Sequence, residues 1–214
     1  MSSAPVFSVS PAAVPAQRLN VADLAWATEL LEAALADYPL WAYLRAVAPG
    51  LSVAWLLRGL LRFGLRYGAV YASPERTALA LWLPGRVRAT LGRLLRAGLL
   101  PGAAWRLGIA GYQRLQTWLM ATGWLHQHSA PLPHQRLLVL AVHPAARGRG
   151  VGRRLLLATL AARQATRQPC YTATAEAAQL PFFQRLGFRV VGHCPVDAAA
   201  PTLMDWALVR YATT

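Results

Sequence analysis

Leu137-Leu138-Val139-Leu140-Ala141-Val142-His143-Pro144-Ala145-Ala146-Arg147-Gly148-Arg149-Gly150-Val151-Gly152 is where the character of this 214-residue chain changes most abruptly. Its first six residues are an unbroken apolar run, which predicts a strand covered on both faces. Pro144 ends the strand. Glycines at alternate positions (148, 150 and 152) allow positive φ and close backbone approach. From about Arg153 to Arg167, Leu155, Leu156, Ala158, Thr159 and Ala162 fall on one helical face. The unit is therefore strand, tight turn and helix. Consecutive amides in such a turn converge on an anion at the helix start, where the dipole also favours negative charge. Arg147, Arg149, Arg153 and Arg154 surround the turn, so it reads as a cradle for a phosphate or pyrophosphate. A ligand-free glycine turn is the competing reading, disfavoured because the clustered guanidiniums would repel one another.

Two phosphate motifs fail here. A P-loop needs Lys-Ser/Thr after its last glycine, and the chain has no lysine. A dinucleotide fingerprint starting at Gly148 meets Arg153 where Gly or Ala belongs, and no acid follows to hold a ribose.

Outward from this unit the order alternates. Helices are predicted at Leu24 to about Tyr38 (capped by Asn20 or Asp23), Leu40 to Ala48 and Val53 to Tyr67, with strands at Ala69–Ala72 and Thr77–Leu83 forming a hairpin. Residues 86–125 read as more than one helix and His126 to His134 as a polar loop. After the central helix come a strand at Cys170–Thr174, a short helix at Leu180–Leu186 ended by Gly187, and strand regions at Phe188–Val191 and Leu203–Tyr211. The fold class is α/β, a mixed sheet flanked by helices with a helical insertion after the first helix. We divide the chain into a loose segment or first edge strand, 1–17, and one domain, 18–214.

All 22 basic residues are arginine against eight acids, giving a net charge of +14. No acid lies between Arg76 and Ala175, a stretch holding 14 arginines. An anionic partner is the direct inference, with genomic base bias as the alternative. At 56% hydrophobic and 14% charged, the chain can bury a large core. Arginine interrupts every long apolar run, so no membrane span is expected. Met1 to Leu19 lacks a positive region before an apolar run, so no secretory signal is expected either. Cys170 and Cys194 make no paired motif and read as free thiols in a reducing cytoplasm. His126, His128, His134, His143 and His193 form no zinc motif, and no metal is expected.

Val139 to Gly152, with Arg147-Gly148-Arg149-Gly150-Val151-Gly152 at its end, resembles the acyl-CoA motif of the GNAT superfamily of N-acetyltransferases, whose pattern is Gln/Arg-x-x-Gly-x-Gly/Ala. Leu180-Pro-Phe-Phe-Gln-Arg-Leu-Gly-Phe188 is similar to that family's second signature. Ala36-Asp-Tyr-Pro-Leu40 and Ala78-Leu-Ala-Leu-Trp-Leu-Pro-Gly85 resemble the puromycin-acetyltransferase-like branch. The resemblance implies a sheet splayed between its fourth and fifth strands, with acetyl-CoA as co-substrate in the gap. Residues 18–130 would form the acceptor side and 131–214 the acyl-CoA side. The backbone of Leu140, Ala141 and Val142 would pair with the pantetheine. Amides from Arg147 through Gly148, Arg149, Gly150, Val151 and Gly152, with Arg153, would hold the pyrophosphate. Gln179 stands where relatives have a cofactor-contacting Asn, and Phe183 where they have the Tyr that acts as general acid.

Direct attack by an amine needs proximity, a neutral amine, a polarised carbonyl and a proton for the leaving thiolate. A backbone amide near Leu140 can polarise the carbonyl. His134 matches a histidine common in the branch and is the candidate base, against the alternative of an exposed loop histidine; Tyr171 or water can replace the missing acid. Trp41, Trp55, Trp82, Tyr67 and Tyr71 are either an acceptor pocket or core. The expected partners are acetyl-CoA and an amine, with the chain a monomer or homodimer. Two other readings stand: a degenerate acyl-CoA binder, and a basic surface binder using Arg58, Arg62 and Arg66 beside Leu57, Leu60, Leu61 and Phe63 on the third helix. No nucleic-acid motif is present.

Overall fold

The computed structural model describes residues 16–99, 103–164 and 166–211; residues 1–15 of the N-terminal segment lie outside that set. Asn20 starts the first helical run: its side chain accepts from Ala22 N at 2.8 Å, and Asp23 accepts from Asn20 N at 2.9 Å. The helix α1 (Leu24–Ala34) ends earlier than predicted, and Pro39 opens α2 (Pro39–Arg45). Next come α3 (Ala54–Tyr67), β2 (Ala69–Ala72) and β3 (Ala78–Pro84), with β2 running antiparallel to the edge strand β1 (Gln17–Arg18).

Two helices, α4 (Leu91–Arg96) and α5 (Ala103–Ser129), fill the next stretch, and α5 is broken at Gly108. The predicted loop at 126–134 is corrected: α5 runs through His126 and His128, because no breaker arrives before Pro131. The strand β4 (Gln135–Val142), α6 (Val151–Gln164), β5 (Cys170–Thr174), α7 (Leu180–Gln184), β6 (Arg189–Asp197) and β7 (Ala200–Arg210) complete the chain.

One mixed sheet of seven strands, in the order β1-β2-β3-β4-β5-β7-β6, spans both halves of the molecule. Only β4 and β5 run parallel. On one face α6 and α7 pack over Trp82, Leu137, Phe188 and Leu208. On the other, α1, α3 and α5 cover Leu79, Leu81, Ala141 and Tyr171. A fully buried leucine, such as Leu208 on the first face or Leu81 on the second, contributes roughly 2 kcal/mol.

The third-helix arginines Arg58, Arg62 and Arg66 are exposed on one face as expected. Leu57, Leu61 and Phe63 are buried in the core. This corrects the surface-binding reading of α3, whose apolar side faces inward. The aromatic residues divide as well. Trp41 and Trp82 are buried, and Trp82 lies on the α6 face with the Arg163 guanidinium 4.3 Å from its ring. Trp55, Tyr67 and Tyr71 are half-buried. The five do not share one pocket.

Candidate active site

Hydrogen-bonded register joins β4 to β5 only at Gln135–Cys170, Arg136–Tyr171 and Leu137–Thr172. Beyond that point the strands part, while β4 stays paired with β3 along its whole length. The parting coincides with a β-bulge. Leu81 faces Val139 and Trp82 faces Leu137, so Leu138 is an extra residue on β4. Thr172 closes the apex, its hydroxyl donating to Leu137 O at 3.1 Å. Leu138, Val139, Leu140 and Val142 are only half-buried. This corrects the prediction of a strand covered on both faces: the continuous apolar run marks an open seam. Leu140 and Val142 share the α6 face, and Ala141 faces the α1–α3 side.

The glycine turn follows at the open end of β4. Gly148 (φ 75°) and Gly150 (φ 72°) take the left-handed conformation predicted for them. Gly152 does not; a Cβ there would sit 2.8 Å from Val142 Cγ2, so its role is close packing of α6 on β4. Gly150 O accepts from Arg154 N at 3.0 Å, so the amides of Val151, Gly152 and Arg153 precede the intrahelical ladder. The four arginines are not equivalent. Arg147 donates from Nη2 to Ala34 O at 2.8 Å and ties the turn to the end of α1. Arg154 donates to Arg149 O at 2.9 Å and braces the turn. The side chains of Arg149 and Arg153 are exposed and make no hydrogen bond to other described residues. The arrangement offers backbone donors and cationic side chains to one anion.

The second signature is already engaged with the protein. Thr174 Oγ1 donates to Gln179 Oε1 at 3.0 Å, and Gln179 Nε2 donates to Glu176 Oε2 at 2.5 Å. Phe183 is buried between Phe182 and Phe188, with ring centroids 5.2 and 5.6 Å away.

The closed end of the seam carries the two candidate catalytic side chains. His134 is 3% exposed, which removes the exposed-loop alternative. Its Nε2 lies 2.8 Å from His126 Nε2, so one ring donates and the other accepts. The His126 ring sits 4.8 Å from the fully buried Tyr171 ring. Burial lowers the pKa of His134 below the ordinary imidazole value. Burial, with the charges of Arg136, His134 and Arg88, pulls His126 down to about 3. Both imidazoles are therefore neutral at pH 7. Burial pushes the Tyr171 phenol up, so it keeps its proton.

Asp205 was missed in the sequence. It lies on β7 opposite Cys194 and shares a face with Ala207 and Val209, beneath α5. It is 2% exposed. The nearby Thr122 hydroxyl is committed to Trp118 O at 2.9 Å, and Asp205 Oδ2 has no hydrogen-bond partner. Burial pushes the carboxyl up to about 6, against the lowering influence of Thr122, Arg136 and the Trp206 amide. Tyr38, edge-on to Trp118 at 6.0 Å, lies near both Ala175 and Asp205. The cluster thus stands at the end of β5 that has left β4. No local pattern in Thr202-Leu203-Met204-Asp205-Trp206 could signal it. Among the described residues no group of His, Cys, Asp and Glu comes together to hold a metal, and no helix is long and apolar enough to cross a membrane.

Comparison with known proteins fits this geometry. Residues 108–190 match the acetyltransferase (GNAT) domain family. A solved structure of histone acetyltransferase HPA2 and related acetyltransferase from Corynebacterium glutamicum is similar at 21% identity and TM-score 0.59, covering 94% of this chain and 97% of that one. Arylalkylamine N-acetyltransferase 2 from Aedes aegypti superposes with TM-score 0.60 at 14% identity, covering 92% and 98%. The polyamine N-acetyltransferase of Drosophila melanogaster gives 0.55 at 17%, with the same coverage of 92% and 98%. With its splayed sheet and glycine turn, the chain has the GNAT fold, and its residues 108–190 match that acetyltransferase family.

Proposed function

We propose that this protein transfers the acetyl group of acetyl-CoA to the amine of a small molecule or protein by direct attack in a ternary complex. The observation that carries the reading is the free edge of β4 from Leu138 to Val142, leading straight to the α6 turn. An extended pantetheine fits that edge as an added strand, along Leu140, Ala141 and Val142. Its diphosphate meets the amides of Gly148 to Gly152 and the side chains of Arg149 and Arg153. Arg147 serves by fixing the turn. Gln179 and Phe183 shape the β5 side of the slot through Thr174, Glu176 and the phenylalanine cluster. The bulge at Leu138 supports a carbonyl-polarising amide there, nearer the apex than Leu140.

The amine nitrogen bonds to the thioester carbon, the C–S bond breaks, and the amine gives up a proton. Asp205 is the proposed proton acceptor, ionised above about pH 6 and carrying an unsatisfied oxygen. Tyr171 is the proposed donor to the departing thiolate, with the neutral His134–His126 pair behind it. A thiol of pKa about 8.5 needs only modest help to leave. The chain's charge of +14 disfavours polycationic acceptors. Relatives named for arylalkylamines support a small, mainly apolar amine. Ala36–Leu40 and Ala78–Gly85 support the puromycin-acetyltransferase-like branch, and the buried free thiols of Cys170 and Cys194 support a cytoplasmic setting. The single-domain division at 18–214 and a metal-free reaction complete the proposal.

Thermal melting with acetyl-CoA, then thiol release over a panel of amines, tests this reading. Stabilisation with turnover is expected. Stabilisation without turnover on any amine would favour a degenerate acyl-CoA binder, and absence of stabilisation would refute the site.

A further inference from the structure

We propose that the exposed apolar strip of α5, with the arginines beside it, docks on an anionic lipid surface. Trp105 is 87% exposed, Ile109 80% and Met120 72%; Leu95, Leu119 and Trp124 are also exposed. After Gly108 a helical turn of 100° per residue sets Ile109, Gln113, Gln116, Met120, Trp124 and Gln127 on one side, and none is charged. A solvated helix face of this length ordinarily carries charge. Arginines flank the start of the strip. A Cβ on Gly59 would lie 2.5 Å from Leu99 Cδ2, and one on Gly98 would lie 3.3 Å from Arg62 Nη1. The Arg106 guanidinium sits 5.4 Å from the Trp55 ring. Gly98, Leu99 and Arg106 therefore lie against α3, whose Arg58 and Arg62 are exposed, as are Arg96 and Arg106.

Charge selects the occupant. Between Asp37 and Glu176 the only acid is Glu75, in the turn between β2 and β3. Two copies meeting through this face would oppose their arginine rims. An anionic bilayer pairs with the arginines and accepts tryptophan and isoleucine roughly 5–10 Å deep, at the headgroup–acyl boundary. This surface replaces the α3 one considered from sequence, and it does not depend on acetyl transfer.

The test is co-sedimentation of the full chain with vesicles of phosphatidylcholine alone, or mixed with phosphatidylglycerol, at low and high salt. Binding only to the mixed vesicles, weakened by salt, is expected. The W105S/I109S variant should bind about tenfold more weakly or worse. R96Q/R106Q should lose about 25-fold, at about fivefold per arginine. These side chains are exposed, so circular dichroism and melting temperature should not change. No binding to mixed vesicles at low salt, equal binding to phosphatidylcholine alone, or undiminished binding by W105S/I109S would overturn the proposal. A dimer that W105S/I109S dissociates, without vesicle binding, would assign the face to a second copy instead.

Discussion

The turn at Gly148–Arg153 and the cluster around Asp205 sit on opposite sides of one seam and are built in opposite ways. The turn is exposed and local: two left-handed glycines, first-turn amides and arginines from a few consecutive residues. The cluster is buried and assembled from afar, with Tyr38 before α2, Thr122 on α5, Arg136 on β4, Tyr171 on β5 and Asp205 on β7. Water competes for every donor in the turn, so it needs several acting together on a polyanion. Burial makes the cluster sensitive to a single proton. One side is suited to holding an anion and the other to moving a proton.

Substitution can break the two ends separately. The largest effect is expected from Gly150→Val, which puts a β-branched residue at φ 72° and crowds the anion. At saturating acetyl-CoA the parent should melt about 5–10 °C higher, from roughly 2.7 kcal/mol of linkage at a hundredfold excess over Kd. The variant should lose that shift entirely, while its ligand-free form should lose only about 1–2 kcal/mol from local strain. Calorimetric scans with and without acetyl-CoA give both numbers.

Asp205→Asn should leave the acetyl-CoA shift intact and lower kcat about 100-fold or more. In the parent, activity should rise through about pH 6 as the carboxyl ionises, and the variant should lack that rise. The linkage has a definite sign. The folded pKa is above the unfolded value of 3.8, so this group's contribution to stability is full below about pH 4 and is lost as pH rises through about 6. Asp205→Asn should therefore be the more stable protein at pH 7, by about 3 kcal/mol. Urea unfolding at pH 4 and pH 7 would show this gain only at the higher pH.

A smaller effect is expected at the closed end. Tyr171→Phe should lower kcat about tenfold, with little change in KM for acetyl-CoA, because the leaving thiolate needs limited assistance. His134→Gln should not remove a titration step near pH 7, since burial lowers both His134 and His126 below the ordinary imidazole value and leaves them neutral there. A pH–rate profile that lost a step near 7 in this variant would reverse that assignment.

Legibility in the sequence follows the same division. β2 and β5 begin and end as predicted, because short apolar runs between Gly, Pro and polar residues leave little freedom. The glycine turn was legible because its glycines and arginines are adjacent in the chain. The seam was not readable from residue pattern: Leu138 looks like its apolar neighbours, and only its bulge against Leu81 and Trp82 separates β4 from β5. Arg147 looks like a phosphate ligand until its bond to Ala34 is seen. Asp205 stays hidden because Tyr171, Arg136, Thr122 and Tyr38 lie 34 or more residues away in the chain, and only the fold brings them together.

Amide hydrogen exchange with and without acetyl-CoA tests the seam most directly. New protection is expected at the amides of Leu138–Val142 that face β5 and at Gly148–Arg153, with Ala78–Pro84 on the already paired side unchanged. Protection confined to another surface, or none at saturating acetyl-CoA, would contradict it.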